Sequence, residues 1–273
     1  MTNITRIHPL KCRTVWLSDI HLGYRGCKTD FLLDFLQQVE CEYLYLVGDI
    51  IDIWHMKQKG FYWPQSHNNV IRTILGKAKY NTKVVYIPGN HDEIFRDYDG
   101  LKFGNVEIHN KYIHQTADGR KLLMMHGDEF DSVVISNRLV SFLGDIGNNF
   151  LLYINRHLYA FHRKMGYPYR SFSAFIKGKV KNAVKVMSKF QDAIVNEAKR
   201  SEVDGIVCGH QHHAQIKEIN GVLYCNDGDW VENCTTMIEY HDGTLELLRW
   251  REDVTSLAVH PPKYTEMPEK KAA

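Results

Sequence analysis

Five short polar fragments of this 273-residue sequence could carry metal chemistry. Each contains Asp, Asn or His, and each directly follows a short apolar run. Oxygen and imidazole donors without cysteine favour ions such as Mn, Fe or Zn. One such fragment alone is more often a turn or a structural histidine, but five of them at successive strand ends are difficult to explain as turns. The fragments are Asp19-Ile20-His21, Gly48-Asp49, Gly89-Asn90-His91-Asp92, His126-Gly127-Asp128 and Gly209-His210-Gln211-His212.

Asp19 with His21, and His210 with His212, are potential ligands at positions i and i+2. Because a strand residue and its second neighbour point to the same side, we expect each pair to converge on one point. Two metal ions about 3.5–4 Å apart require a carboxylate between them and roughly three further ligands each. The pattern therefore predicts a two-metal centre, in which the cations ease deprotonation of water and neutralise phosphate oxygens.

The apolar runs before the fragments are typical of buried strands. They alternate with helical patterns over residues 29–40, with Thr29 as the expected cap, and over residues 66–80. This alternation predicts an α/β domain with a largely parallel core sheet, whose ligands gather at the carboxyl ends of the strands. The predicted strands are Thr14–Leu17, Tyr43–Val47, Lys83–Ile87, Lys121–Met125 and Gly205–Cys208.

The second half of the chain follows a different pattern. A helical pattern runs from Ala183 to Arg200, and Asn220-Gly221 and Asp242-Gly243 are turn dipeptides between alternating strands. These hairpins predict a second, more antiparallel sheet. We expect a main domain interrupted by a helical cap and followed by a disordered tail. The expected bounds are 1–130 and 178–260 for the main domain, 131–177 for the cap and 261–273 for the tail.

The composition predicts a soluble, cytoplasmic protein. Hydrophobic residues make up 44% of the chain, but the sequence has neither a run of about 18 apolar residues nor a signal-type start. The six cysteines form no Cys-x-x-Cys pair, which fits reduced thiols better than disulfides or a thiolate zinc site.

Residues 146–191 are strongly basic. They contain nine Lys or Arg and no Asp or Glu, although the whole chain has a net charge of only +2. A solvated helix face would explain scattered lysines. Here, however, the cations alternate with bulky groups such as Phe150 and Tyr153, and that combination suits an anionic amphiphile, a membrane surface or nucleic acid.

The five fragments resemble the signature of the calcineurin-like metallophosphoesterase family, which reads Asp-x-His, Gly-Asp, Gly-Asn-His-Asp/Glu, His and Gly-His-x-His. The resemblance spans residues 19–212. It implies an α/β fold, a two-sheet β-sandwich flanked by helices, here with a helical cap insertion. It also implies two divalent metal ions, for which we expect Mn²⁺, with Fe or Zn as alternatives. Carried over by position, Asp19, His21 and His212 would bind one ion, Asn90, His126 and His210 the other, and Asp49 would bridge them.

His91 matches the phosphate-facing histidine of that family. The resemblance implies that it donates a proton to the leaving oxygen or stabilises charge on the phosphoryl group, and histidine suits both tasks near neutral pH. The expected catalytic residues are therefore His91 and Asp49. A structural turn residue that supports Asn90 is the alternative for His91.

The segment Ser18–Gly23 and the basic insertion look most like UDP-2,3-diacylglucosamine pyrophosphohydrolases, which release UMP and 2,3-diacylglucosamine 1-phosphate in the lipid A pathway. The resemblance implies an anionic, lipid-linked substrate, peripheral contact with the inner face of an anionic membrane, and no specific nucleic acid. One departure is that His91 occupies the position where the best-known branch has Arg. Residues aligned only loosely with that branch's substrate contacts are Asp131, Ser173, Lys177 and Lys181.

Two other functions remain open on the sequence alone. One is a phosphodiesterase or nucleotidase for a soluble nucleotide, in which the cap selects a base. The other is a non-catalytic scaffold that binds protein. A scaffold predicts that metal ligands have been lost, and this sequence retains all of them.

Overall fold

The computed structural model describes residues 9–131 and 189–263. The chain divides into two compact units, one formed by residues 1–128 with 197–273 and the other by residues 129–196. Among the described residues, three α-helices lie wholly within the first unit, and residues 189–200 are also helical. The three helices are α1 (Thr29–Gln38), α2 (Ile53–Lys59) and α3 (Gln65–Lys79). Short 3₁₀ helices span Glu93–Tyr98 and Asp128–Phe130.

Fifteen strands lie within the described residues. In chain order they are β1 (Leu10–Lys11), β2 (Thr14–Leu17), β3 (Val39–Glu40), β4 (Tyr43–Val47), β5 (Lys83–Ile87), β6 (Lys102–Phe103), β7 (Val106–Ile108), β8 (Tyr112–Gln115), β9 (Lys121–Met124), β10 (Gly205–Cys208), β11 (Gln215–Ile219), β12 (Val222–Asn226), β13 (Thr235–Glu239), β14 (Leu245–Trp250) and β15 (Val254–His260).

The larger sheet has eight strands in the order β15-β14-β13-β2-β4-β5-β7-β6. Its central strands β2, β4, β5 and β7 run parallel to one another, as predicted. β2 is buried at all four positions and β4 at four of five, which explains why both appear in the sequence as continuous apolar runs. The remaining strands pair antiparallel, so the sheet is parallel only at its centre.

The smaller sheet has five strands in the order β11-β12-β10-β9-β8. The prediction that the late hairpins build this sheet is wrong in part. The β11–β12 hairpin turns at Asn220-Gly221 and belongs here, but β13 pairs with β2 and carries β14 and β15 into the larger sheet. All five residues of β13 are buried, so this strand requires a neighbour on each side. The smaller sheet also has as many parallel as antiparallel pairings.

Two apolar cores hold the layers together. One lies between the sheets and joins Trp16 and Val85 of the larger sheet to Met124 and Val207 of the smaller one. The other packs α1 and α3 against the larger sheet. This confirms the predicted sandwich flanked by helices.

The helix α1 differs slightly from its prediction. Thr29 is its first residue and Lys28 occupies the N-cap position. The helix ends at Gln38, two residues early, because Val39 and Glu40 pair with β1 as strand β3. Helix α3 starts and ends one residue before its predicted bounds.

Several predictions fall on residues outside the described ranges. These are nearly all of the cap over 131–177, most of the basic segment 146–191, and residues 264–273 of the tail, so the bounds of the cap and tail stay predictions. Within residues 9–131 and 189–263, no helix has the length and apolarity needed to cross a membrane. The six cysteines all lie within these ranges and are free thiols.

Candidate metal centre

The predicted ligands stand in the loops that directly follow the strands, where the backbone turns sharply. Asp19, His21, Asp49, His210 and His212 all have φ between 50° and 63°. Residues other than glycine rarely adopt this left-handed conformation, which costs roughly 1–3 kcal/mol each and is concentrated at functional sites. Strand alternation therefore does not bring these pairs together, contrary to the prediction. The strands have already ended, and left-handed turns aim the side chains.

Glycines beside these residues allow the loops to approach closely. A side chain at Gly89 would place its Cβ 2.2 Å from Oδ1 of Asp49, and one at Gly48 would lie 2.1 Å from Nδ1 of His126. Gly48 also has φ +84°. Both positions thus require glycine for packing, and Gly48 also requires it for its backbone conformation.

One ligand group consists of Asp19, His21 and His212, whose donor atoms all lie within 4.8 Å of one another. The Oδ1 atom of Asp19 is 3.0 Å from Nε2 of His212 and 3.9 Å from Nε2 of His21. Burial would raise the pKa of Asp19, but the nearby imidazoles of His212 and His126 outweigh it, so the pKa is lowered. The group therefore presents a carboxylate between two imidazoles.

The second ligand group consists of Asp49, His126 and His210. His126 donates from Nδ1 to the carbonyl of Val47 at 3.0 Å, which leaves Nε2 facing Oδ2 of Asp49 at 3.3 Å. Burial would lower the pKa of His126, but the carboxylates of Asp49 and Asp19 outweigh it and raise the pKa to about 10. The same carboxylates would attract a cation placed beside this ring.

Asp49 lies between the two groups. Its Oδ2 atom is 3.3 Å from Nε2 of His126 in one group and 3.9 Å from Nε2 of His21 in the other. Its Oδ1 atom accepts a hydrogen bond from the backbone N–H of His91 at 2.8 Å, which fixes the carboxylate. This position fits the bridging role that the resemblance implies.

Unsatisfied buried atoms test whether the residues fit a metal ion. Among the residues that the structure describes, eight buried side-chain atoms have no hydrogen-bond partner. Three of them belong to the predicted ligand set: Oδ1 of Asp19, Oδ1 of Asn90 and Nε2 of His126. A buried polar atom without a partner costs about 1–3 kcal/mol, and these three are all donor atoms of types that metal ions bind. The residues therefore fit divalent cations. We use the name strand-end cluster for Asp19, His21, Asp49, Asn90, His126, His210 and His212.

His91 lies beside this cluster, where sequence reasoning placed it, with a partly exposed ring whose Nε2 is 4.0 Å from Oδ2 of Asp49. Asp52, which sequence reasoning missed, orients it. The Asp52 carboxylate lies 2.8 Å from Nδ1 of His91 and 2.9 Å from Nδ1 of His21, so both rings turn Nε2 toward Asp49. Asp52 also caps α2 by accepting from the N–H of His55. Its position three residues after Asp49, at a helix start, was the available signal.

Asp92 is a second residue whose role the sequence did not reveal. Its buried carboxylate accepts from the N–H groups of Ile50 at 2.8 Å and Gly89 at 2.6 Å, and from the Tyr86 hydroxyl. It thereby ties the loop after β4 to the loop after β5. Burial and the charge of Asp49 raise the pKa of Asp92.

Asp227 supports the loop that carries Asp19. Its carboxylate accepts a hydrogen bond from the Ser18 hydroxyl at 2.8 Å. Asp227 is fully buried, and burial raises the pKa of its carboxyl well above the usual range. Asp227 follows strand β12, far from Ser18 in the sequence, so no sequence pattern predicted this contact.

The four predicted substrate contacts stay predictions. Asp131 belongs to the unit of residues 129–196, whereas the strand-end cluster belongs to the other unit. Ser173, Lys177 and Lys181 lie outside the described ranges.

The calcineurin-like phosphoesterase family matches residues 12–214, which is most of the chain. This chain belongs to that family. It is similar to the UDP-2,3-diacylglucosamine hydrolase of Aliivibrio fischeri (strain MJ11), with 23% identity over 236 residues that cover 84% of this chain and 94% of that protein. It is also similar to the protein of the same name from Vibrio atlanticus (strain LGP32), with 22% identity over 75% of this chain and 82% of that protein.

Among solved structures, the phosphoesterase Yfce from E. coli aligns with a TM-score of 0.48 and 14% identity, covering 92% of this chain and 99% of that one. Family membership together with the hydrolase relatives makes this phosphoesterase a metal-dependent phosphohydrolase. The predicted enzyme class is thus confirmed, as is the fold.

Proposed function

We propose that this phosphoesterase hydrolyses the pyrophosphate bond of UDP-2,3-diacylglucosamine, or of a close analogue, to UMP and 2,3-diacylglucosamine 1-phosphate. The observation that carries the reaction type is the juxtaposition of two ligand groups around Asp49, with His91 at their edge. The substrate rests on the similarity to the Aliivibrio fischeri hydrolase, which extends over 94% of that protein.

In this proposal the strand-end cluster holds two divalent cations, most readily Mn²⁺. Asp19, His21 and His212 would hold one, Asn90, His126 and His210 would hold the other, and Asp49 would lie between them. When bound, such cations lower the pKa of water and neutralise charge on phosphate oxygens. Left-handed loops and buried partners fix the ligand side chains before substrate arrives, which limits their reorganisation during the reaction.

His91 acts on the leaving side of the reaction. Oxygen from water forms a bond to one phosphorus atom while the bridging P–O bond breaks, and the bridging oxygen leaves with the other phosphate. Asp52 holds Nδ1 of His91 and its charge supports the protonated ring, so Nε2 can donate a hydrogen bond or proton to the oxygen that gains charge. Burial would lower the pKa of His91, but the hydrogen bond to Asp52 and the charges of Asp49 and Asp52 outweigh it, so the pKa is raised.

A second candidate is a phosphodiesterase or nucleotidase that acts on a soluble nucleotide. The presence of His91, where the best-known diacylglucosamine branch has Arg, favours it. Under this alternative the same metal-binding residues serve the reaction, and residues 131–177 select the nucleotide.

Product analysis distinguishes the two candidates. Purified protein loaded with Mn²⁺ is incubated with UDP-2,3-diacylglucosamine, with UDP-N-acetylglucosamine and with bis-p-nitrophenyl phosphate, and the products are quantified by mass spectrometry. We expect kcat/KM for the diacylated substrate to exceed that for the unacylated sugar nucleotide by about 10²-fold or more, since buried acyl chains add binding energy. Faster cleavage of unacylated nucleotides would favour the second candidate. Failure to cleave any of the three with Mn, Fe or Zn would refute both.

We further propose that the basic segment 146–191 brings the enzyme to an anionic membrane on its cytoplasmic side. Each Lys or Arg near such a surface contributes about 1 kcal/mol, and salt screens the attraction. Vesicle co-sedimentation tests this proposal. We expect pelleting with anionic vesicles that falls at 1 M salt, whereas equal pelleting with neutral vesicles would contradict it.

A further inference from the structure

A pocket of about 460 Å³ opens beside His91, between helix α2 and the 3₁₀ helix Glu93–Tyr98. Asn90 and His91 form part of its lining, so it begins at the strand-end cluster. The other lining residues that matter here are Trp54 and Lys57 from α2 and Glu93 and Asp97 from the 3₁₀ helix. The pocket therefore lies on the side of the cluster where His91 would face the leaving group.

Trp54 provides an aromatic surface at this pocket. It is 51% exposed, which is high for the largest apolar side chain. Its ring meets the His91 ring edge-on, with centroids 5.2 Å apart. Its backbone N–H also donates to the carbonyl of His91 at 3.0 Å. The indole is thus held at a fixed distance from the histidine, and half of its surface is available to a ligand.

The charges of the pocket argue against two kinds of occupant. Glu93 and Asp97 are carboxylates that balance the cations Lys57 and Arg96, so the lining offers no net attraction for a second anionic phosphate. Lys57 is exposed, and Arg96 carries a guanidinium bonded to Asp128 at 2.8 Å, so an acyl chain would meet charged groups along the lining. A neutral group with one flat ring and several O–H or N–H donors fits better. The indole of Trp54 can stack on the ring, and the carboxylates can accept hydrogen bonds from the donors.

We infer that this pocket binds the nucleoside part of the substrate, with the base stacked on Trp54 and the ribose hydroxyls directed to Glu93 and Asp97. The nucleotide phosphate would then lie at His91 and the strand-end cluster. The inference rests on the proposed phosphohydrolase function. It applies to a lipid-linked sugar nucleotide and to a soluble nucleotide alike, since both carry a nucleoside.

Equilibrium binding tests the inference directly. Isothermal titration of the Mn²⁺-loaded full chain compares UMP with ribose 5-phosphate, which has the same phosphate and sugar but lacks the base. Base stacking on an aromatic side chain raises affinity by about 5- to 150-fold, so UMP should bind the unmodified protein more tightly by that factor. Trp54→Ala should abolish the preference without changing the affinity for ribose 5-phosphate. Trp54→Phe should retain most of the preference. Tyr80 is exposed and does not line the pocket, so Tyr80→Ala is the control variant and should behave as the unmodified protein.

Saturation-transfer NMR provides a second measurement. The uracil protons of UMP should receive magnetisation from the unmodified protein, and most of this transfer should be lost in Trp54→Ala.

Equal affinity of the unmodified protein for UMP and ribose 5-phosphate, or a preference that survives Trp54→Ala, would overturn the inference. Hydrolysis of bis-p-nitrophenyl phosphate, measured in parallel, reports on the proposed function. If hydrolysis is present and the preference for UMP is absent, only the nucleoside pocket is refuted. If no phosphoester is hydrolysed but UMP binds through Trp54, the pocket stands and the proposed function fails.

Discussion

The strand-end cluster and a second buried cluster around Glu239 both place a carboxylate beside histidine, yet their hydrogen bonding differs. The Glu239 cluster consists of Arg13, Thr14, His114 and Glu239, with the backbone N–H of Ala117. Glu239 is fully buried, like Asp19. Its two oxygens accept from Arg13, Thr14 and the N–H of Ala117, and one lies 2.9 Å from Nε2 of His114.

The location of each cluster explains the contrast. Glu239 and Thr14 belong to the larger sheet and His114 to the smaller one, so the Glu239 cluster connects the two sheets. In the strand-end cluster, Asp19 and His126 each retain a buried atom without a partner, and the residues stand in strained loops. Burial of histidine with carboxylate is therefore not by itself evidence of a functional site. Unsatisfied donor atoms held by strained backbone are the feature that distinguishes a ligand site.

The largest effect is expected from Asp49→Ala. Without a carboxylate between the ligand groups, two cations would repel each other, so we expect loss of bound metal and a fall in kcat/KM on the order of 10⁴-fold. Elemental analysis and hydrolysis of bis-p-nitrophenyl phosphate measure both. Retention of both ions with near-normal turnover would refute the bridging role.

A smaller effect is expected from His91→Ala. The variant should keep its metal, since our assignment makes His91 a proton donor and not a metal ligand, and lose about 10²–10⁴ in kcat, the usual contribution of a positioned acid or base. His109→Ala, which removes a histidine paired with Glu107 of strand β7, is the matched control and should retain full activity. A drop in metal content in His91→Ala would make His91 a ligand instead.

Glu239→Gln should lower the stability of the protein and leave metal binding and catalysis unchanged. It replaces an acceptor of several hydrogen bonds with a neutral amide, so we expect the free energy of unfolding to fall by about 1.5–3 kcal/mol. Metal content and kcat should be unchanged, because the cluster connects sheets and holds no metal in our assignment. Denaturant unfolding of the metal-free proteins gives the difference. An activity loss at unchanged stability would contradict the assignment.

The smallest effect is the pH dependence of the difference in unfolding free energy between the unmodified protein and Glu239→Gln. Burial would raise the pKa of Glu239, but hydrogen bonds from His114, Thr14 and the Ala117 N–H outweigh it, so the folded pKa is lowered. Stability from a lowered carboxyl pKa is present above the unfolded pKa of about 4.3 and is lost as pH falls through the folded value. The unmodified protein should therefore be more stable than Glu239→Gln near pH 6, and this difference in stability should shrink below about pH 4. A difference that grows on acidification would contradict this sign.

Much of the fold could be predicted because its strands are buried on both faces. Thr14–Leu17, Tyr43–Val47 and Lys83–Ile87 have the predicted bounds, since continuous apolar runs that end in polar loops leave little choice of register. Strand β13 was assigned to the wrong sheet. Its pairing with β2 joins residues more than 200 positions apart, and no local pattern specifies such a partner.

The sequence by itself determined the types of the candidate metal ligands, their order along the chain and the strands that precede them. Only the tertiary structure decided that left-handed loops, and not strand alternation, aim Asp19 and His21. It alone showed that Asp52 orients two histidines and that Asp92 ties two loops together. The physical reason is that the chemistry of a side chain depends only on its residue type, whereas its hydrogen-bond partners depend on where the parallel strands place separate loops. In these bonds between loops, the partners are 31 to 42 positions apart in the sequence.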